Sequence, residues 1–291
     1  MRRWWSDALS AAGHVADRPL LWLPGALAWT AGVGWLALVI GVARPPNIGV
    51  LTFGGARFFG SGAWPWNALA IGAAALAAAL IGFALVSAAE AVLLRGTNAT
   101  RRDAARIFVL GMVCAAPTLA GLLAVATAAV VVAPLEFNAP DRQLGPLVRT
   151  AIRLGPLLVA TVVAASAGAA IHASAARSAI DGRTVAEALR GSPRQLARAG
   201  VRAVVQAAAL LMARVAYLAV AAIGLRVLWA PIGLRLEAGG MDPAVGLLLV
   251  GFVAIWLCLV LGGGALHAWG STSWTRVLGR RRQRMETTTG P

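Results

Sequence analysis

The chain alternates long apolar runs with short polar segments, and six of the runs are long enough to cross a bilayer. A spanning helix needs about 20 apolar residues, because it rises about 1.5 Å per residue across a hydrocarbon core of roughly 30 Å. In lipid, a helix also satisfies its backbone hydrogen bonds internally. The pattern therefore predicts an all-α polytopic integral membrane protein with six transmembrane helices. The six runs are residues 20–42, 69–94, 107–133, 154–176, 203–225 and 245–270.

The segments outside these runs predict three regions. Residues 1–18 start with Arg2 and Arg3 and carry Trp4 and Trp5, which predicts a cytoplasmic amphipathic helix with its tryptophans at the membrane interface. Residues 19–275 form the transmembrane domain. Residues 276–291 form a basic tail that we expect to be disordered.

The longest polar stretch between two apolar runs covers residues 177–202, which we call the elbow. Thr184 and Glu187 have capping-box spacing, which predicts the start of a short helix on the membrane surface. Ser192 and Pro193 repeat the signal, because proline is favoured at the first position of a helix. The elbow therefore predicts two helices, the second of which turns into the bilayer.

The arginines of the elbow predict contact with anionic groups. Arg194, Arg198 and Arg202 are spaced four apart, so they form one stripe on the second predicted helix. With Arg190, they are expected to contact the anionic headgroups of membrane lipids or a partner subunit.

Composition agrees with a membrane protein. The chain is 59% apolar and 13% charged, with a mean hydropathy of +0.76, which excludes an ordinary soluble domain. In a soluble protein the net charge of +15 would suggest nucleic acid. Positive-inside loops and anionic lipid explain it here, so no nucleic-acid partner is predicted. Cys114 and Cys258 lie within apolar runs and are expected to be free thiols.

The distribution of arginine predicts the orientation. With both termini inside, the inner segments hold 18 arginines and the outer segments hold 7. Orientation follows the basic residues of short loops. All basic residues are arginine, and the chain is rich in alanine and glycine, which is typical of a GC-rich bacterial genome. We therefore expect a multi-pass protein of a bacterial inner membrane with both termini in the cytoplasm.

Four ionisable residues lie inside predicted spans, where charges are costly. Arg214 lies deepest, and helical spacing places Tyr217 on the same face, so that face should point into the bundle. Arg214 is either a fixed cation for an anionic substrate or lipid, or it reaches the outer side or pairs with backbone carbonyls and a nearby polar group. Glu90, His172 and His267 lie in the inner thirds of the second, fourth and sixth spans and could converge as a polar cluster.

Catalysis and metal binding have little support. Histidine and carboxylate can bind a metal, but no short spacing ties Glu90, His172 and His267 together, so we predict no metal and no cofactor. The chain has no G-x-S-x-G, H-E-x-x-H or lysine-containing phosphate loop. We therefore predict no catalytic residues, and a protein that is not an enzyme.

The segments around the spans hint at an internal repeat. Each of three hairpins runs outward, returns and ends in a basic segment. SAAEAVLLRGTNATRRDAAR resembles ASAARSAIDGRTVAEALR, and GAAIHASAARS resembles GALHAWGSTSW. Low-complexity alanine helices also match by chance, so both explanations stay open.

Two segments carry a family resemblance, ALSAAGHVADRPLLWLPGALAW near the N-terminus and RSAIDGRTVAEALRGSPRQL in the elbow. In these the chain resembles a group of uncharacterised six-helix bacterial inner-membrane proteins, which is similar to the membrane domain of some glycerophosphodiester phosphodiesterases. The resemblance covers most of the chain through compositional motifs. It implies a fold and an inner-membrane location, but no activity, because the acidic, histidine-rich catalytic domain of those enzymes has no counterpart here.

Two functions follow as hypotheses. The first is a non-enzymatic inner-membrane protein whose basic cytoplasmic elbow contacts anionic lipid or a partner subunit. The second is a permease or transporter subunit that moves a small or anionic solute past Arg214.

Overall fold

The computed structural model describes residues 2–43, 57, 61–63, 65–137, 145–239 and 243–288. Within these ranges no strand occurs, and nine α-helices of eight residues or more provide the architecture. The helices are α1 (Arg2–Ala16), α2 (Trp22–Trp29), α3 (Trp35–Val42), α4 (Trp66–Arg95), α5 (Arg101–Phe137), α6 (Pro146–Ile180), α7 (Val185–Ala199), α8 (Val201–Glu237) and α9 (Pro243–Thr288).

Six helical segments are long and apolar enough to cross a membrane, which confirms the predicted fold class. They extend beyond most of the apolar runs, because the helices continue into the polar segments beside those runs. The spans are Pro19–Val42, Leu69–Asn98, Arg101–Val132, Val148–Ile180, Val201–Glu237 and Pro243–Gly279. Many large apolar side chains on their surfaces are exposed, such as Leu76, Val130 and Leu247. A bilayer would cover this surface.

The first span is not a single regular helix. It begins with a 3-10 turn (Pro19–Leu21), continues through α2, changes to a π-helical turn at Thr30–Gly34 and ends with α3. π-Helical turns inside α-helices often occur at functional sites.

The chain folds into two compact units. Unit 1 contains the residues up to Asp7, then Arg106–Leu211 and the residues from Ser273 onward. Unit 2 contains Ala8–Ala105 and Met212–Thr272. The elbow therefore belongs to unit 1, whereas Glu90, Arg214 and His267 belong to unit 2.

The elbow differs from its prediction at the second helix start. Residues 185–199 form one helix, α7, and Pro193 lies inside it. The Ser192 hydroxyl donates to the carbonyl of Ala188 one turn earlier, so it does not cap a new helix. The break comes at Gly200, whose φ of 57° is left-handed and favours glycine. The stripe of Arg194, Arg198 and Arg202 is therefore divided between α7 and α8.

The C-terminal segment continues the last helix. α9 extends to Thr288, and the disorder expected for residues 276–291 stays a prediction. Arginine, glutamine, methionine and glutamate all have high helix propensity. They follow the last span with no proline before the end of the helix, so the helix has no local reason to stop.

The core of unit 2 joins α2, α3, α8 and α9. Its buried residues are Trp29, Ala37, Ala221, Ala222, Leu225, Ile232 and Phe252. Close approach depends on the Gly262–Gly264 run of α9. A Cβ atom at Gly262 would meet the Tyr217 hydroxyl, one at Gly263 the ring of Trp29, and one at Gly264 the backbone of α2. Small residues allow membrane helices to pack this closely.

Candidate functional site

A cluster of polar side chains lies inside unit 2, between α4 and α9. Ser271 Oγ donates a hydrogen bond of 2.7 Å to Glu90 Oε1, and His267 Nε2 lies 3.3 Å from Glu90 Oε2. His267 and Ser271 are four residues apart, so both lie on one face of α9. The Glu90 side chain is 12% exposed and that of His267 is 15% exposed. We call these three residues, with Arg214, the polar cluster.

The order of contacts in the polar cluster differs from that of a catalytic triad. In a triad the histidine lies between the nucleophilic hydroxyl and the carboxylate. Here the carboxylate of Glu90 lies between Ser271 and His267. The hydroxyl thus donates to an acid, and the geometry holds a carboxylate in place instead of activating a serine.

Arg214 lies on α8 within electrostatic range of Glu90. Arg214 is half-buried. The face of α8 on which it lies points inward, since Leu210 and Ala221 are buried. This orientation agrees with the helical spacing of the sequence. Within the described part of the chain, the guanidinium has no ion pair closer than 4.0 Å and no hydrogen bond.

Tyr217 fixes the position of α8 one turn beyond Arg214. Its hydroxyl donates a hydrogen bond of 2.7 Å to the carbonyl of Leu259 on α9. Its ring packs edge-on against Trp29, with 5.7 Å between ring centroids. Gly263, which supports Trp29, lies one turn of α9 from His267, so the core and the polar cluster share the same helix faces.

Two buried donors lie beside this core. Within the described structure, neither Trp29 Nε1 nor Thr30 Oγ1 has a hydrogen-bond partner. Buried polar groups are normally paired, so each exception calls for an explanation. Both residues lie where α2 changes to the π-helical turn.

His172 lies in unit 1, whereas Glu90 and His267 lie in unit 2. Its Nε2 atom is 3.4 Å from the carbonyl oxygen of Ile107 on α5. The structure thus brings Glu90 and His267 together and gives His172 a contact with backbone in its own unit. Among the described residues, no group of three or more histidine, cysteine, aspartate or glutamate side chains could hold a metal ion.

The elbow arginines lie along one side of α7 and at the start of α8. Arg190, Arg194 and Arg198 are exposed, whereas Arg202 at the start of α8 is half-buried. The opposite side of α7 is buried through Ala188, Ser192 and Ala199. This division makes α7 strongly amphipathic, with small residues packed inward and guanidinium groups outward.

Hydrogen bonds hold α7 against α6 in unit 1. The Ser174 hydroxyl donates 2.7 Å to Gln195 Oε1, and Gln195 Nε2 donates 2.9 Å to Ser178 Oγ. Ala175, Ala179 and Ala188 pack beside this chain with Leu110 of α5. The alanines keep the helices close enough for a single glutamine to bridge two turns of α6.

The N-terminus of α7 carries the predicted capping box. The Thr184 hydroxyl accepts from the Glu187 amide, and the Thr184 amide donates 2.9 Å to the Glu187 carboxylate. These hydrogen bonds from Thr184 hold the pKa of Glu187 below its ordinary value, and Arg183 and Arg190 lower the pKa further.

Two further polar groups of unit 1 were not predicted as sites. Gln206 is fully buried; it accepts from Trp4 Nε1 and donates to the hydroxyl of Ser273. Glu136 at the end of α5 pairs with Arg149 and Arg153, each Nε lying 2.6 Å from a carboxylate oxygen. The sequence offered mixed charge on a loop but no signal that these partners meet.

Comparisons of the chain with known protein families, with curated proteins and with solved structures find no match. The fold and its polar groups therefore define the class by themselves: an all-α polytopic membrane protein with an amphipathic basic elbow and a carboxylate-centred cluster inside its helices. The resemblance to a phosphodiesterase membrane domain stays a prediction.

Proposed function

We propose that this protein is a non-enzymatic integral protein of a bacterial inner membrane that holds anionic lipid headgroups on α7. The observation that carries the proposal is the division of α7 into a packed side and an arginine side. Arg190, Arg194 and Arg198 are exposed, while Ala188, Ser192 and Ala199 are buried. A helix divided in this way lies flat at a membrane interface.

The charge of the elbow favours an anionic headgroup over a headgroup with no net charge. An arginine near an anionic membrane surface gains about 1 kcal/mol of attraction. Three such residues on a helix anchored to α6 act together, because the packing of α7 fixes their positions in advance. The same surface could receive an acidic partner subunit, which is the other outcome of the test. The positive-inside distribution of arginine supports placing this face in the cytoplasm.

The test replaces Arg190, Arg194 and Arg198 with glutamine in the full chain. We expect less anionic phospholipid, such as phosphatidylglycerol, to remain with the purified protein in native mass spectrometry. The matched control replaces Arg226 and Arg235 with glutamine. Both are exposed residues in the second half of α8, and the control should retain lipid as the wild type does. Equal retention by the elbow variant would reject the lipid proposal. If the elbow variant instead loses a co-purifying acidic protein, the partner-subunit reading replaces it.

A second function is supported by Arg214. Placing an arginine in the middle of a span costs roughly 2.5–3.5 kcal/mol on insertion scales. Both carboxylate oxygens of the nearest acid, Glu90, are occupied by Ser271 and His267. A guanidinium held inside the bundle without a direct ion pair suits a permease for a small anionic solute.

Arg214→Leu tests the permease. The variant should fold as well as the wild type, because leucine suits the span, and it should lose uptake of anionic solutes into proteoliposomes. Unchanged uptake would reject Arg214 as the solute site.

A further inference from the structure

We propose that the polar cluster of unit 2 binds a small monocarboxylate at Arg214 and takes up a single proton with each anion. This inference rests on the permease function proposed above and adds two things to it, the class of the anion and its coupling to protons.

The charge of the cluster requires the proton. Arg214 carries a positive charge and Glu90 a negative one, so with a neutral His267 the cluster is balanced. A bound anion would leave an uncompensated negative charge among apolar helices, where unpaired ions are strongly disfavoured. One proton from solvent restores the balance.

The proton has a place to bind. His267 Nε2 and Glu90 Oε2 are 3.3 Å apart, so a proton added to either atom lies on or beside the line that joins them. On Nε2 it forms an imidazolium paired with the carboxylate, and on Oε2 it forms a neutral acid beside the imidazole. The two groups are coupled, so the proton belongs to the pair and the count is the same in both cases.

The donor geometry selects the anion. A guanidinium presents two parallel N–H groups that match the two oxygens of a carboxylate. Within the described chain the guanidinium of Arg214 has no hydrogen-bond acceptor, while Glu90 already accepts from Ser271. A dianion would need a second proton, and the cluster contains a single histidine and a single acid.

Independent support comes from the two buried donors of the first span. Trp29 Nε1 and Thr30 Oγ1 lack acceptors in the described structure. Trp29 packs on Tyr217, which lies one turn from Arg214 on α8. Unsatisfied donors thus lie at the change from α2 to the π-helical turn, where Trp29 packs on Tyr217 of α8, and an oxygen-rich ligand there would satisfy them.

In the described part of unit 2, the groups considered around Glu90 come from α9, α8 and the first span. From α9 the facing group is His267, with the hydroxyl of Ser271 beside it. From α8 the facing groups are Arg214 and, further along, Tyr217. The Tyr217 hydroxyl donates its hydrogen bond to the carbonyl of Leu259. The first span contributes Trp29 and Thr30, which do not titrate.

The experiment uses the full chain in nanodiscs and sodium lactate as the probe. Calorimetric titrations in two buffers with different ionisation enthalpies count the protons taken up per lactate. We expect uptake approaching a single proton, and an affinity for lactate that falls as the pH rises. Sodium chloride supplies a single-atom anion for comparison. Chloride should bind more weakly than lactate.

Two variants separate the parts of the inference. Glu90→Gln removes the negative charge, so lactate should bind without proton uptake and without dependence on pH. Arg214→Gln should abolish binding, whereas the control Arg226→Gln, at an exposed position, should leave both affinity and proton count unchanged. Where Glu90→Gln does not fold, the proton count of the wild type decides alone.

The outcomes separate this inference from the permease proposal. Lactate binding without proton uptake would overturn the proton coupling and leave the anion site in place. Stronger binding of chloride than of lactate would overturn the carboxylate class. Absence of binding for both anions at every pH would overturn the inference together with the Arg214 permease.

Discussion

A Cβ atom at Gly263 would overlap with the indole ring of Trp29, so these two residues are in contact only because position 263 has no side chain. Trp29 is 3% exposed and belongs to the core of unit 2. The contact allows α9 to approach the first span closely, and it lies one turn from His267. Packing at Gly263 therefore also positions the polar cluster.

Gly263→Ala should destabilise the protein by about 1–3 kcal/mol, because the added methyl group must displace Trp29 or α9. Gly251→Ala is the matched control: it lies on the same helix, and a Cβ atom there meets nothing within 4 Å. In that position alanine should be neutral or stabilising, since glycine disfavours helix by about 1 kcal/mol. Unfolding of both variants in the same detergent makes the comparison, and equal stability would contradict close packing at Gly263.

The ion pairs of Glu136 predict unequal effects of two arginines. The side chain of Arg149 is 10% exposed and that of Arg153 is 51% exposed. Breaking a buried pair costs about 3–5 kcal/mol, whereas an exposed pair contributes about 1 kcal/mol or less. Arg149→Met should therefore lower the free energy of unfolding well beyond Arg153→Met. If the two variants unfold alike, Arg149 is not the buried partner.

The capping box predicts the behaviour of α7 on acidification. Thr184→Ala should increase amide exchange at the start of α7 by about fivefold, because an orphan amide loses its cap. The pKa of Glu187 is lowered in the folded protein, so its contribution to stability is present above the ordinary pKa of the group and is lost as pH falls through the lowered one. The difference between wild type and Glu187→Gln should disappear in acid. Exchange rates corrected for intrinsic pH dependence provide the measurement, and a difference that grows in acid would contradict the sign.

The predicted orientation can be tested with single cysteines in a chain that carries alanine at positions 114 and 258. Ala63 and Ala186 are both exposed, Ala63 before α4 and Ala186 on α7. A membrane-impermeant maleimide added to intact cells should label Ala63→Cys and spare Ala186→Cys, since positive segments stay in the cytoplasm. Permeabilised cells, in which both should react, provide the control. Labelling of Ala186→Cys in intact cells would reverse the orientation.

The number and type of spans could be predicted from the sequence because hydrophobicity over about 20 residues is a local property. Local signals also located the capping box of Thr184 with Glu187, since its partners are three residues apart. Helical spacing alone placed Arg214 on an inward face. The prediction was wrong at Ser192 and Pro193, where a start signal was overridden by continuous packing of α7 on α6.

The partners of these residues were decided only by the tertiary structure. Glu90 and His267 are separated by 177 positions and Gln206 and Ser273 by 67, and nothing local to either member specifies the other. By its sequence alone, the run Gly262–Gly264 predicts a weak helix segment. Only the structure shows that Tyr217, Trp29 and α2 pack against these glycines. The sequence determines which segments enter the membrane, because the free energy of transfer into lipid is a property of each side chain by itself. Which polar groups then satisfy one another depends on how helices distant in the chain pack together.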